Sequence, residues 1–235
     1  LSSRRQRQMC IRDRVRHIAF NTEAERQLCR SVFGRFLAPN SIVGCGIEMA
    51  PEAEWSGVKA KYELPDEYVL YLGRVSKAKV DKLLPYFLRC KAKYGGDAKL
   101  VLVGGFENEI RKFDSPDILF TGYVSDEEKT AIVRHATVMV NPSPMESLSL
   151  LMLEGMQSRI PLLVNGRSKV MKDHCRLSGA GLWYNNGRDF RKKLHRLLSD
   201  PELRRTMSEK GPAYVREHYD WEIIIPKLRT LIESI

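Results

Sequence analysis

The sequence predicts an α/β fold whose main part, residues 67–217, is a doubly wound, Rossmann-like parallel sheet. Two observations carry this prediction. Short, continuously apolar runs alternate with amphipathic segments of helical period through this region, as is typical of parallel strands covered on both faces. The chain has 235 residues and is 43% hydrophobic, which is enough for a core of this size. A sheet of this kind binds its ligands at the carboxyl ends of its strands.

The composition argues against several other classes of protein. No apolar run reaches the roughly 18 residues that a membrane helix needs, and the chain does not begin with the apolar segment of a secretory signal. The five cysteines are odd in number and form no C-x-x-C, so neither a disulfide framework nor a zinc site is expected. We therefore expect a reducing, cytoplasmic location.

The first 14 residues, "LSSRRQRQMCIRDR", differ from the rest of the chain. They hold five arginines and one aspartate, and so carry four of the ten net positive charges. They show neither helical nor strand periodicity, and we expect residues 1–14 to be disordered or non-native. A basic arm that binds nucleic acid is the alternative, but no aromatic residues are interleaved with the arginines.

Residues 15–50 contain a short strand at 16–20, a helix from Glu23 to about Phe36, and a second strand within 40–48. The following segment, residues 51–66, is polar and bounded by prolines, which indicates a linker between domains.

From residue 67 onward the predicted elements alternate regularly. The apolar runs predict strands at 68–72, 99–103, 118–122, 137–141, 160–164 and 181–184. Helical patterns follow the strands, one of them near 79–94 and another opened by the capping box of Ser125 and Glu128. The tail is helical from Pro201, with a break near "HYDW", so that 218–235 forms a C-terminal helix.

The first candidate site residues follow the first strand of this region, in "LGRVSKAK" (72–79). Gly73 ends the strand, so Arg74 lies at the carboxyl edge of the sheet, and Lys79 begins the next helix. An arginine fork and a lysine point charge that converge there suit a diphosphate. Two basic residues in a solvated loop are the alternative.

A Gly-Gly turn follows the second strand. Gly104 allows the backbone to approach a ligand closely, although a tight turn without a ligand explains the two glycines equally well.

The stretch "ESLSLLMLE" (146–154) places a glutamate at each end of an apolar run. Its helix is predicted to begin near Ser149, and the free N–H groups of a helix start favour an anion. Glu154 lies one turn after Leu150 on the same face and, as a pure acceptor, suits the two hydroxyls of a ribose. Alternatively, Glu154 pairs with a basic residue and Glu146 is exposed. The spacing favours neither interpretation.

Together these stretches resemble glycosyltransferase family 4, retaining enzymes of the two-Rossmann-domain GT-B fold. The family signature, two glutamates separated by seven residues, is matched by Glu146 and Glu154, and its G-R-x-x-x-x-K by Gly73, Arg74 and Lys79. The stretches "VLVGG", "FTGYVSDEEK", "NPSPMESLSLLMLEGM" and "PLLVNG" occur in the family's order and spacing. The resemblance covers roughly residues 16–235 and is weaker in 16–50.

The resemblance implies a site for a nucleotide-sugar donor. In such enzymes the motif's arginine and lysine hold the diphosphate, which here are Arg74 and Lys79 beside Gly73. The second glutamate, Glu154, would bind the ribose, and the first, Glu146, the donor sugar. We therefore expect Glu146, Arg74 and Lys79 to be the catalytic residues. The other implied contacts are backbone N–H groups to phosphate from Ser147, Leu148, Ser149 and Leu150, and a base pocket at Tyr123 and Val124.

Three departures from the family pattern stand out. The usual P-E-K-G is "KAKV", so only Lys79 matches it. The usual E-G or E-G-F-G form is "ESLS", which places a serine where glycine usually allows the closest approach. The family's N-terminal acceptor domain is missing, and residues 15–50 resemble only its last strand and helix with the crossover. We therefore expect a fragment without acceptor-side catalytic groups, which is inactive alone.

The sequence thus predicts the donor-binding half of a metal-independent glycosyltransferase without a resident cofactor. No D-x-D occurs, which fits a fold that stabilises the leaving diphosphate with cations and a helix dipole, and no complete G-x-G-x-x-G indicates a nicotinamide dinucleotide. The expected partners are a nucleotide-sugar donor and a glycan, lipid-linked or small-molecule acceptor, but not nucleic acid. Peripheral contact with the inner face of the membrane through the missing domain stays open. A sugar-nucleotide epimerase and a non-catalytic nucleotide-sugar-binding module are the alternatives.

Overall fold

The computed structural model describes residues 15–34, 38–106 and 115–234. The expectation that residues 1–14 are disordered or non-native, and the predicted helix end at Phe36, lie outside the described residues. The strands are β1 (Ile18–Phe20), β2 (Asn40–Ile42), β3 (Tyr68–Leu72), β4 (Lys99–Val103), β5 (Ile118–Gly122), β6 (Val138–Asn141), β7 (Leu162–Asn165) and β8 (Gly181–Tyr184).

Six parallel strands form one sheet in the order β5-β4-β3-β6-β7-β8. Strands β3, β4, β5 and β8 have the predicted bounds, while β6 and β7 begin one and two residues later. Because β3 pairs with β4 on one side and with β6 on the other, the strand order reverses between β3 and β6. In open α/β sheets the ligand crevice lies at such a reversal.

Helices cover both faces of this sheet, so the predicted doubly wound α/β fold is confirmed. Successive residues of β3 face opposite ways: Leu70 joins the core that includes Leu153, and Val69 joins the core that includes Phe87. The helices are α1 (Glu23–Phe33), α2 (Trp55–Lys61), α3 (Lys77–Val80), α4 (Leu83–Tyr94), α5 (Asp126–Arg134), α6 (Leu150–Gln157), α7 (Lys169–Ser178), α8 (Gly187–Ser199), α9 (Pro201–Tyr219) and α10 (Trp221–Glu233).

Local signals set several of these helix ends. The capping box predicted at the start of α5 is formed, since Ser125 Oγ accepts from Glu128 N and the Glu128 side chain accepts from Ser125 N. The predicted break in the tail lies at Asp220, which caps α10 by accepting from Glu222 N at 2.9 Å. Among the described helices, none has both the length and the apolar character that crossing a bilayer requires.

The segment 51–66 contains α2, a helix that the sequence analysis did not predict. Glu54 caps it by accepting hydrogen bonds from Ser56 N and Gly57 N, and Val58 is buried in the core. Tyr62 Oη donates to Glu128 at 2.8 Å. The polar sequence of this segment therefore folds against α5 and does not form an extended connection.

The N-terminal segment forms a two-stranded parallel sheet, β1 with β2, and the residues that follow β2 pack onto the end of the chain. Ile47 N donates to Tyr219 O at 3.1 Å. Thr22, the N-cap of α1, donates from Oγ1 to Ser147 O at 3.4 Å. This segment therefore reaches the loop that carries Glu146.

Candidate functional site

The carboxyl ends of β3 and β6 border a cleft of about 440 Å³, at the reversal of strand order. The cleft is formed by the turn after β3, the loop 142–149, the start of α6 and two residues of the N-terminal segment. Its lining residues are Asn21, Cys45, Tyr71, Leu72, Gly73, Arg74, Lys79, Asn141, Pro142, Ser143, Glu146, Ser147, Leu148, Ser149, Leu150 and Leu151.

Glycines bring the ends of β3, β4 and β5 together beside this cleft. Gly73 N donates to Val103 O at 3.0 Å, and Gly104 N donates to Gly122 O at 2.9 Å. A Cβ atom at Gly104 would lie 2.3 Å from the carbonyl oxygen of Gly73, so any larger residue would force the strand ends apart. This contact gives Gly104 a packing role that needs no ligand.

Tyr123 stands next to this glycine corner. Its side chain is 87% exposed, and a Cβ atom at Gly105 would lie 2.5 Å from its hydroxyl oxygen. Val124 is partly buried and packs against the core. An aromatic ring thus lies open to solvent at the ends of β4 and β5, outside the cleft lining.

Arg74 and Lys79 place two cations on the β3 side of the cleft. Both side chains are exposed, and neither makes an ion pair with any of the described residues. The Tyr71 hydroxyl donates to Arg74 O at 2.9 Å and so holds the turn from below. The positive charge at this turn is therefore available to an anion.

Asn141, the last residue of β6, ties together both ends of the loop that follows. Its Nδ2 donates to Ser149 Oγ at 3.0 Å, and its Oδ1 accepts from Ser143 N at 3.0 Å. The loop that carries Glu146 is thus closed by a single amide side chain.

Ser149 adopts the left-handed conformation, with φ of 67°, immediately before α6. It stands where the family pattern usually has glycine, and glycine is the residue that adopts this conformation without strain. No side chain caps the helix start, and the first two helical residues, Leu150 and Leu151, line the cleft with N–H groups that lack an intrahelical acceptor.

Glu146 lines the same cleft as the two cations. It is half-buried. Its negative charge interacts electrostatically with Tyr71, which is 4% exposed. Burial, and after it the negative charge of Glu146, raises the pKa of Tyr71 to about 12. The Tyr71 hydroxyl therefore keeps its proton at neutral pH and remains the donor to Arg74.

Glu154 lies on α6, one turn beyond the cleft lining, and has two different carboxylate oxygens. Lys129 Nζ is 3.3 Å from Oε1, while Oε2 is buried and has no hydrogen-bond partner among the described residues. The side chain of Glu154 is 13% exposed. A buried acceptor without a donor is costly and marks a place where a ligand hydroxyl could bind.

His174 and Cys175, adjacent on α7, serve packing beneath the loop. His174 is 2% exposed, and its Nδ1 lies 2.9 Å from Tyr214 Oη. Burial lowers the pKa of His174 to about 4, so the ring is neutral near pH 7. Burial also raises the pKa of the Cys175 thiol, as is usual for an inert structural cysteine.

The structure brings together most of the residues that the sequence analysis singled out. Gly73, Arg74, Lys79, Glu146 and Ser147–Leu150 line the cleft, whereas Gly104, Tyr123, Val124 and Glu154 lie beyond its lining. The lining residues that the sequence analysis missed are Asn21, Cys45, Tyr71, Leu72, Asn141, Pro142, Ser143 and Leu151. Tyr71 and Asn141 could have been found, because a polar atom at the end of an apolar strand points to the ligand edge of the sheet.

Comparison with known sequences identifies a matching family. Residues 57–214 match the family described as "Glycosyl transferases group 1". An alpha-D-kanosaminyltransferase of Streptomyces kanamyceticus is 30% identical over 174 residues, which cover 68% of this chain and 44% of that protein. The chain thus spans less than half the length of that curated relative.

Solved structures show the same fold. Sucrose-phosphate synthase from Thermosynechococcus elongatus superposes with a TM-score of 0.80 at 20% identity, covering 100% of this chain and 62% of that one. Anabaena Alr3699/HepE in complex with UDP-glucose gives a TM-score of 0.77 at 12% identity, covering 94% and 64%. At these identities the likeness concerns the fold alone, and it confirms the GT-B fold expected from the sequence.

Proposed function

The chain belongs to the group 1 glycosyl transferases, and we propose that it is the donor-binding half of a retaining family 4 enzyme. In this proposal the enzyme moves a sugar from a nucleoside-diphosphate sugar to an acceptor. The observation that carries it is the cleft at the β3–β6 reversal. It is lined by Glu146, by the start of α6, and by Arg74 and Lys79, which make no ion pair with any described residue.

The diphosphate would bind on the β3 side of the cleft. Arg74 and Lys79 are exposed and make no ion pair with other described residues, so none of the described carboxylates has to be displaced. An arginine fork and a lysine ammonium both donate to phosphate oxygens. Across the cleft, the N–H groups at Leu150 and Leu151 open α6 without a side-chain cap and would favour the same anion.

The donor sugar would lie next to Glu146. This carboxylate lines the cleft from the loop 142–149, whose ends Asn141 fixes by two hydrogen bonds. A loop held in this way presents the carboxylate in one position, which is what a group acting on a transferred sugar requires. The protein's catalytic work would be to orient the sugar and to stabilise the charge that develops on the departing diphosphate.

The nucleoside would extend from the diphosphate towards Glu154 and Tyr123. The unpartnered Oε2 of Glu154 can accept from ribose hydroxyls while Oε1 stays with Lys129. Tyr123 presents an exposed ring at the ends of β4 and β5, on which a base can stack. HepE was solved with UDP-glucose, so a uridine diphosphate sugar is the first donor to test.

The charge arrangement favours catalysis that is independent of a metal ion. Arg74, Lys79 and the start of α6 together supply positive potential where a leaving diphosphate would accumulate negative charge. The acceptor-side groups would come from a further domain, so we propose that this chain binds donor and does not transfer sugar alone.

The binding test uses calorimetric titration with UDP, GDP and ADP. Arg74→Ala and Lys79→Ala should each weaken the best ligand by about tenfold or more, since a hydrogen bond to a charged group contributes about 1.5–3 kcal/mol. Arg196→Ala and Lys192→Ala are the matched controls, because both side chains are exposed on α8 and line no cleft described here. Equal losses in the two pairs, or no nucleotide binding, would contradict the proposed site.

The activity test separates the proposal from the epimerase alternative. Incubation of the chain with a uridine diphosphate sugar and candidate acceptors should give no transferred product. Isomerisation of the donor without an acceptor would indicate an epimerase instead. Sugar transfer by the chain alone would contradict the proposal that acceptor-side groups are supplied by another domain.

A further inference from the structure

A second cleft, of about 730 Å³, lies on the other side of the loop that begins at Pro142. It is formed by α3, the start of α4, and the loops that follow β6, β7 and β8. The residues that line it are Lys77, Ala78, Lys79, Asp81, Lys82, Tyr86, Pro142, Pro144, Asn165, Arg167, Tyr184, Asn185 and Asn186. It shares only Lys79 and Pro142 with the first cleft.

The charge of this second cleft is strongly one-sided. Among the residues that the structure describes, four cations line it together with one carboxylate, Asp81. Within the described parts of the chain, Lys79, Lys82 and Arg167 make no ion pair, whereas Lys61, Lys91, Lys129 and Lys193 all do. Cations without an ion pair among the described residues, here Lys79, Lys82 and Arg167, focus positive potential into a concave surface and attract an anion.

The walls of the second cleft are held in place by Asn165. Its Nδ2 donates to Pro142 O at 2.9 Å, and its Oδ1 accepts from Arg167 N at 3.1 Å. One amide side chain thus fixes the backbone that carries Arg167 against the loop that separates the two clefts. The backbone of Arg167 is therefore fixed relative to this loop.

The floor of the second cleft is packed closely and leaves amide groups at its edge. A Cβ atom at Gly187 would lie 2.6 Å from the Tyr86 ring, and one at Gly166 would lie 2.8 Å from Asn185 Oδ1. The rings of Tyr86 and Tyr184 meet edge to face, with centroids 6.4 Å apart. Asn185 is exposed at the rim, where its amide can bond to ligand hydroxyls.

We propose that the second cleft binds a phosphorylated, hydroxyl-rich small molecule, such as a sugar phosphate. Lys82 and Arg167 would take the phosphate group, for which a planar arginine fork is suited. The cleft is far larger than one phosphate ion, and the amide and tyrosine groups around it suit a polar body attached to that phosphate. This site does not depend on the donor assignment, because it requires neither Arg74 nor Glu146.

The experiment titrates the 235-residue chain with glucose 6-phosphate, inorganic phosphate and glucose. Glucose 6-phosphate should bind more tightly than inorganic phosphate, and glucose should not bind measurably. The double variant Lys82→Gln/Arg167→Gln should weaken glucose 6-phosphate at least about tenfold, because two charge-assisted contacts are lost. Lys79 is left unchanged so that the first cleft stays intact.

Two control variants test whether the loss of glucose 6-phosphate affinity arises in the second cleft. Lys192→Gln/Arg196→Gln removes the same charge from exposed positions outside both clefts and should leave the affinity within about threefold, since rim charges contribute little. Arg74→Ala alters only the first cleft and should leave glucose 6-phosphate binding unchanged. Thermal unfolding of each variant shows that it is folded.

Three results would overturn the proposal. An equal loss in the two double variants would show attraction to net charge alone. A loss in Arg74→Ala as large as that in Lys82→Gln/Arg167→Gln would place the sugar phosphate in the first cleft. Inorganic phosphate binding as tightly as glucose 6-phosphate, or no binding of either, would contradict the ligand class proposed.

Discussion

Lys129 Nζ lies 3.3 Å from Glu154 Oε1, while the other oxygen of that carboxylate is buried without a hydrogen-bond partner among the described residues. The sequence allowed two interpretations of Glu154, an ion pair within the protein or an acceptor for a ligand. The structure accommodates both, since one oxygen is paired and the other remains available. Lys129 also lies 3.4 Å from Asp126, so it is shared between two carboxylates.

The ion pair should contribute to stability. Lys129→Met leaves Glu154, which is 13% exposed, without its only described partner, and should lower the free energy of unfolding by about 1–2 kcal/mol. Urea unfolding of the parent and the variant at neutral pH measures this change in the free energy of unfolding. Lys192→Met, at an exposed position without an ion pair among described residues, is the control. An unchanged midpoint for Lys129→Met would show that the pair contributes nothing.

The backbone strain at Ser149 should be separable from the loss of its hydrogen bond by comparing two substitutions. Ser149→Ala loses the hydrogen bond from Asn141 and keeps the positive φ of 67°, so it should lose about 1 kcal/mol. Ser149→Gly loses the same bond but relieves about 1–2 kcal/mol of backbone strain, so it should be close to the parent. Chemical unfolding of the three proteins compares them, and an alanine variant as stable as the glycine variant would show that no strain is present.

His174 should make stability depend on pH. Burial lowers its pKa from 6.5 to about 4, so between these values the unfolded chain binds more protons than the folded one. The contribution is therefore full above pH 6.5, falls as the pH drops towards 4, and amounts to about 3 kcal/mol. The difference in unfolding free energy between the parent and His174→Gln, followed from pH 7 to pH 4, should shrink accordingly. A difference that stays constant with pH would argue against a neutral buried imidazole.

Nucleoside diphosphate binding should not require a divalent cation. Arg74 and Lys79 make no ion pair with described residues, and with the start of α6 they provide the positive potential. Titrations of UDP in excess EDTA and in millimolar magnesium should give dissociation constants that agree within error. Strict dependence on magnesium or manganese would show that the phosphate site is assigned to the wrong residues.

Much of the fold follows from local patterns in the sequence. The run "YVLYL" predicts β3 to the residue because all five side chains are buried, and a strand covered on both faces has no polar side to obscure its ends. The capping box at Ser125 is likewise local. The helix α2 was missed because its few apolar residues, such as Val58, show no clear period in a segment bounded by prolines.

The contacts within the candidate site could not be predicted from the sequence, because they join residues that are far apart in the chain. Lys129 meets Glu154, and Thr22 reaches the Ser147 carbonyl, only through long-range packing, on which periodicity carries no information. The left-handed backbone conformation of Ser149 could be suspected only because the family pattern usually has glycine at this position. Motif spacing singled out the cations and glutamates as candidates, and the tertiary structure added the Lys129 partner of Glu154.

The most direct test of the donor site compares ribo- and 2′-deoxyribonucleoside diphosphates on the parent and on Glu154→Gln. If Glu154 accepts from both ribose hydroxyls, the variant should bind UDP about 10- to 150-fold more weakly, corresponding to about 1.5–3 kcal/mol. The parent should already bind 2′-deoxy-UDP weakly, and the variant should lose much less affinity for it. Calorimetric titration of both ligands against both proteins gives this double-mutant cycle. Equal losses for the two ligands would contradict the ribose contact and assign Glu154 to the ion pair with Lys129 alone.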